Sequence, residues 1–275
     1  MSNSQSAQTA ASDTPSVELE RYDAVAVIAL NRPHRRNALD MESRVLLASL
    51  VEAALADPDV RVVVLTGRGG HFCSGGDIGT MKGSEPIGAV SGRQRMRDGL
   101  RTVECLLTSD KPVLAAVEGV AYGGGFGIAL AADMVIASQT ARFCMSFARV
   151  GLVPDSASLF TLPRIVGLAR AKELMMSARE LDAATAHNYG IAMEVVPAGQ
   201  ALARALQIAT ALAQTSPVAT AMAKTALNNS LSSDLRSMLE YEATAQGVAF
   251  ASDWHRTAVA RFIDKKPPLF SWPTG

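Results

Sequence analysis

Apolar and polar positions along this chain change period several times. Residues 17–20 and 24–30 are apolar enough for two strands, and Tyr22-Asp23 between them predicts a hairpin entry. Residues 40–56 place Leu46, Leu47, Leu50 and Leu55 at helical spacing, and Asp57-Pro58 stops the pattern. Residues 60–65 are a β-branched run of the kind that forms a buried parallel strand. Residues 79–94, rich in Gly, Ser and Pro, predict a mobile stretch, and residues 95–107 a single amphipathic helix. Strand pattern returns at 113–117 and 134–137, with an apolar helical stretch at 128–132 between them. Beyond Leu162-Pro163 the pattern is almost wholly helical, at 171–176, 183–189, 201–213, 217–231 and 235–250. Strands alternating with helices predict parallel βαβ units. No internal repeat stands out.

Composition narrows the class. Of 275 residues, 48% are hydrophobic, enough for a sizeable core. The 26 basic residues balance the 26 acidic ones, so no net field favours nucleic acid or an anionic membrane. No apolar run reaches membrane-spanning length. Residues 1–15 are small and polar, without the charged start and apolar core of a signal peptide, and read as a disordered tail. Cys73, Cys105 and Cys144 are odd in number and not closely paired, which fits a reducing, cytoplasmic location. His34, His71, His187 and His255 lack metal-ligand spacing, so no metal site is expected.

The candidate chemistry lies in residues 111–155. The run KPVLAAVEGVAYGGGFGIALAAD carries a strand into Gly123-Gly124-Gly125 and then a helix. Consecutive glycines at such a junction let a ligand approach bare backbone. They also leave free N–H donors at the positive end of the helix. A second glycine-rich junction, HFCSGGDI at 71–78, follows the strand-like run before it. Each junction could give one backbone donor to the same carbonyl oxygen. A dinucleotide reading fails, because Gly125-x-Gly127 is followed by Leu130 where a third Gly or Ala is needed.

In this order, NRPHRRNAL (31–39), VVVLTGRGGHFCSGGDI, KPVLAAVEGVAYGGG and a terminal ARFIDKKPPLF resemble the crotonase (enoyl-CoA hydratase/isomerase) superfamily. The resemblance runs from the hairpin almost to the C-terminus. It implies an α/β, ClpP/crotonase-like spiral fold of repeated ββα units. The α/β core would span 16–199, and a helical region at 200–275 would drive a homotrimer or a dimer of trimers. It implies an acyl-CoA thioester substrate, coenzyme A being part of that substrate with no separate cofactor. By motif position, the Gly76 and Gly124 amides would hold the thioester oxygen.

Hydratases of this superfamily use two glutamates, at the positions held here by Gly127 and Phe147. Neither residue can move a proton. Asp155, in RVGLVPDSAS, stands where dienoyl-CoA isomerases and ring-1,2-epoxyphenylacetyl-CoA isomerases carry an aspartate, and FCMSFARVGLVPDSASLFTLPRIVG is most similar to the latter and enoyl-CoA isomerase group. The reading is therefore an isomerase that shifts a double bond, or rearranges a ring epoxide, through a thioester enolate with Asp155 as proton shuttle. Phe147, Leu152 and Phe160 are candidate apolar neighbours of that carboxylate. Pro-Asp-Ser is equally a plausible helix start with Asp155 as N-cap. A hydratase or lyase using Asp155 and water, and a non-catalytic CoA-binding protein, are the alternatives.

The resemblance further implies coenzyme A contacts at Arg36, Ser74, Asp77 and Ile78, with Lys265 and Lys266 reaching a phosphate. Met81, Met96, Leu100, Phe126 and Phe147 are the candidate acyl pocket. Glu118, beside the glycines, reads as structural. Cys144 and Ser146 have no identifiable His base, so thioesterase chemistry is not expected.

Overall fold

A computed structural model of the chain describes residues 14–81 and 88–274. The expected tail, residues 1–15, falls largely outside the described residues, as does the centre of the stretch expected to be mobile. The hairpin is β1 (Val17–Tyr22) and β2 (Val25–Leu30), turned at Asp23 in the left-handed region. Helix α1 (Met41–Ala56) starts where Asp40 accepts a hydrogen bond from the Ser43 amide at 2.9 Å, a cap contributing about 1 kcal/mol. Strand β3 (Val62–Gly67) follows.

The predicted helix at 95–107 is two helices, α2 (Ala89–Gly99) and α3 (Arg101–Thr108), broken at Leu100. Gly99 at the end of α2 supplies the weak helix former that the period alone concealed. Next come β4 (Val113–Val117), β5 (Val120–Tyr122), α4 (Gly124–Leu130), β6 (Met134–Ser138) and β7 (Arg142–Cys144). Then follow α5 (Ser158–Val166), α6 (Leu168–Ser177), β8 (Glu180–Asp182), α7 (Ala183–Asn188) and β9 (Glu194–Val196). The chain closes with α8 (Ala201–Leu212), α9 (Pro217–Asn229), α10 (Leu235–Phe250) and α11 (Asp253–Ile263).

The large sheet has the order β1-β2-β3-β4-β6-β9, parallel except for the β1–β2 hairpin. Both of its faces are covered, which is why β2, β3 and β4 are continuous apolar runs rather than alternating ones. One face, with Val25, Val27, Val62, Val64, Leu114 and Ile136, packs on α8. Helix α8 presents Ala201, Ala205, Ile208, Ala209 and Leu212 as one buried stripe. The other face belongs to a larger cluster that includes Leu47 and Val51 of α1, Leu106 of α3 and Phe126 of α4.

A small sheet, β5-β7-β8, lies beside the large one. The order of large-sheet strand, small-sheet strand and helix occurs in β4-β5-α4 and again in β6-β7-α5. Cys73, bridged to Ala121 of β5, brings the segment after β3 to the same small sheet. Sequence period missed β5, β7 and β8 because three-residue strands are too short to show alternation. Helices α10 and α11 contain no buried residue, whereas α8 is integral to the sheet packing.

Candidate active site

The first glycine-rich junction is held from behind by residues 31–40. Asn37 is buried in the left-handed region, and its amide donates to the carbonyls of Arg68 (2.9 Å) and His71 (2.6 Å). Its Oδ1 accepts from the Arg32 amide. The Arg32 guanidinium binds Asp40 at 3.0 Å and Asp77 at 3.1 Å, tying the start of α1 to the end of the junction. Leu39 then clasps the glycines: its amide donates to Gly75 O (2.8 Å) and its carbonyl accepts from the Asp77 amide (3.0 Å). In extended chain successive amides face opposite ways, so the Gly76 N–H points away from Leu39.

The second junction runs from β5 into α4. Cys73 donates to Val120 O and accepts from the Tyr122 amide, so the two junctions are paired as neighbouring strands are. Contact is close enough to dictate glycine at 125, where a Cβ would lie 2.5 Å from Cys73 O and 2.7 Å from Cys73 Cβ. On the near side, a Cβ on Gly75 would stand 3.5 Å from the Gly124 nitrogen. The two junctions thus approach closely here, and neither the Gly76 nor the Gly124 amide donates to an acceptor among the described residues. Both residues line one small cavity of about 120 Å³.

Asp155 lines that cavity as well. Its carboxylate is beside the second glycine, 3.3 Å from where a Gly124 Cβ would be. It accepts a hydrogen bond from Ser156 Oγ at 2.9 Å. The capping reading of Asp155 is not realised: α5 begins at Ser158 with Ala157 as N-cap and no side-chain cap bond. Ser156 and Ala157 both take left-handed backbone, with φ of 53° and 58°, a conformation costing roughly 1–2 kcal/mol per L-residue. That turn drives Ser156 into the groove beside α4. A Cβ at Gly127 would lie 2.6 Å from Ser156 Cβ and 2.8 Å from its carbonyl oxygen. The side-chain space at Gly127, the position that the resemblance gives to one hydratase carboxylate, is thus filled by Ser156. At the other, Phe147 is buried against the cavity.

The other sequence-derived residues divide clearly. Ser74, Asp77, Ile78, Met96, Phe147 and Leu152 line the cavity with Gly76, Gly124 and Asp155. Phe126 does not: its ring is in the core, 5.2 Å from the Phe143 ring. Leu100 joins α2 to α3 and packs on the core, away from the cavity lining. Phe160 lines a different groove, with the Arg164 guanidinium stacked 3.4 Å from its ring centre, so it is no neighbour of Asp155. Met81 ends a 3-10 turn, Ile78–Met81, and its side chain is outside the described residues.

Arg36 is exposed behind the first junction, where its carbonyl accepts from the Ser74 amide. Lys265 and Lys266 are exposed beyond α11, with Lys266 paired to Asp264, and neither lines the cavity of its own chain. Glu118 is structural, accepting from the Ala201 amide at the start of α8. Burial pushes the Cys73 thiol up to about 11 and raises that of Cys144, which donates to Ala178 O, so neither offers a ready thiolate. Sequence period missed Arg44 and Arg95, which also line the cavity. Their spacing makes them ordinary polar positions of α1 and α2, and only the packing of the two helices turns them inward.

Comparison with known proteins gives the family and the fold. The enoyl-CoA hydratase/isomerase family model covers residues 20–272. The 1,2-epoxyphenylacetyl-CoA isomerase of Escherichia coli (strain K12) is 34% identical, over 90% of this chain and 95% of that protein. The short-chain-enoyl-CoA hydratase of Clostridium acetobutylicum is 33% identical, over 91% and 95%. A crystal structure of an enoyl-CoA hydratase/isomerase from Cupriavidus metallidurans CH34 superposes with a TM-score of 0.89 at 42% identity, covering 94% of this chain and 98% of that one. Matched along its full motif order, and with the two glycine junctions meeting over one cavity, the chain belongs to the enoyl-CoA hydratase/isomerase family and has the crotonase fold.

Proposed function

We propose that this member of the family is an acyl-CoA isomerase that shifts a double bond, or rearranges a ring epoxide, through a thioester enolate. The supporting observation is the Asp155 carboxylate beside Gly124, in a cavity where Ser156 fills the space next to Gly127 and Phe147 replaces the second acid. The thioester oxygen accepts hydrogen bonds from the Gly76 and Gly124 amides. Asp155 takes a proton from C2 of a 3-enoyl thioester. Charge moves onto the oxygen, where fixed backbone donors need no reorganisation to meet it. Asp155 then returns the proton to C4, giving the conjugated 2-enoyl thioester. One carboxylate suffices for this, whereas hydration needs a second group to position and activate water. Ser74, Asp77 and Ile78 border the coenzyme A arm, and Arg36, Lys265 and Lys266 are its proposed outer contacts.

Purified protein is to be assayed with a cis-3-enoyl-CoA, a trans-2-enoyl-CoA and a ring-epoxide CoA thioester. The expected result is isomerisation of the first or third, with hydration of the second slower by ~10²-fold or more, the worth of a missing acid/base. Hydration as fast as isomerisation overturns the reading in favour of the hydratase that one set of relatives represents.

The same proposal includes assembly through residues 200–275. Helices α10 and α11 contain no fully buried residue, yet expose Leu235, Leu239, Val248, Phe250, Val259 and Phe262. Apolar surface on this scale marks an interface. Sedimentation at micromolar concentration is expected to give a trimer or a dimer of trimers, and a stable monomer contradicts this part of the proposal. No described helix is long and apolar enough to cross a membrane.

A further inference from the structure

Arg44 is half-buried, and its guanidinium makes no hydrogen bond or ion pair with another described residue. It projects from α1 into the cavity that holds Gly76, Gly124 and Asp155. Its guanidinium lies between two glycines. A Cβ on Gly76 would stand 3.2 Å from Arg44 Nη2, and one on Gly99 would stand 3.3 Å from Nη1. Arg95, four residues before Gly99 on α2, shares that helical face and lines the same cavity. The two carboxylates that line the cavity are engaged elsewhere, Asp77 with Arg32 and Asp155 with Ser156. Arg44 and Arg95 thus border one small cavity, and neither is ion-paired with a described carboxylate. Holding like charges together out of full solvent is unfavourable until an anion joins them.

We propose that Arg44 and Arg95 select acyl-CoA thioesters whose acyl group carries a second carboxylate. This rests on the thioester reading above, because the Gly76 amide fixes where the acyl group begins. Arg44 Nη2 stands 3.2 Å from the Cβ position of Gly76, at the reacting end of the thioester in that reading. The diphosphate of coenzyme A is separated from the thioester by the whole pantetheine arm and is not the anion in question. A carboxylate on a short acyl chain can accept from the planar guanidinium fork in two parallel bonds, a geometry lysine does not reproduce. The two arginines border Met96, so the pocket offers apolar contact to the chain and charge to its end.

Calorimetric binding of glutaryl-CoA and butyryl-CoA tests this without any turnover. Both are saturated thioesters of similar reach that differ in the terminal carboxylate. The wild-type protein is expected to bind glutaryl-CoA about 10–100-fold more tightly, the range of one hydrogen-bonded charge pair. Arg44→Met is expected to abolish that ratio, Arg44→Lys to restore part of it, and Arg95→Met to reduce it, which keeps the test decisive if one variant fails to fold. Equal affinities in the wild type overturn the proposal, as does a ratio unchanged in both Met variants. Failure of both ligands to bind points instead to failure of the thioester reading.

Discussion

Asp155→Asn is expected to lower turnover of a 3-enoyl-CoA by about 10²–10⁴-fold, the usual worth of a positioned acid/base. Its thermal unfolding should barely move. The carboxylate caps no helix and forms no ion pair among the described residues; its one hydrogen bond is accepted from Ser156 Oγ. The asparagine oxygen can still accept that bond, so geometry is kept and only the proton-carrying ability is lost. Asp155→Ala should likewise fold, because the turn that follows is held by backbone, with the Ser158 amide donating to Asp155 O at 3.0 Å. Thermal unfolding and initial rates measured on the same preparations separate the two roles. Full turnover in Asp155→Asn removes it as the proton shuttle.

Gly124→Pro is expected to cost at least ~10²-fold in kcat, the scale of one lost oxyanion donor. Gly124 is the first residue of α4, the helical position that best tolerates proline. The fold should therefore survive while the N–H disappears. Added atoms also crowd the site, since even a Cβ there meets Ser156 Oγ at 3.1 Å and Asp155 Oδ1 at 3.3 Å. Gly124→Ala controls for this by adding the Cβ and keeping the donor. Rates of the two variants, compared at saturating substrate, isolate the amide. Equal rates in a folded Gly124→Pro and Gly124→Ala contradict the role given to that N–H.

The large sheet was legible because both its faces are buried, which writes β2, β3 and β4 as uninterrupted apolar runs. The meeting of the two glycine junctions was open as a possibility from their shared pattern, and the family resemblance made it an expectation. Nothing in local spacing says that Gly125, at the start of α4, backs onto Cys73, a contact between segments far apart in sequence. Phe126 misled because it neighbours Gly124 in sequence, yet a residue two further along a helix faces elsewhere, here toward Phe143. Phe160 misled in the same way, five residues from Asp155 but carried off by α5 to a separate groove. The left-handed pair Ser156-Ala157 was invisible, since neither residue type signals positive φ. Yet that turn sets both the aim of Asp155 and the closure of the space at Gly127.

The central claim is that one carboxylate carries a proton from C2 to C4 of a thioester held by two backbone amides. Its most direct test is the fate of deuterium in a 3-enoyl-CoA labelled at C2, followed by NMR with wild type and Asp155→Asn. The account predicts that wild type delivers part of the label to C4 of the 2-enoyl product, and that Asp155→Asn neither transfers nor releases it while still binding coenzyme A thioesters. Label leaving C2 at the wild-type rate in Asp155→Asn would contradict it.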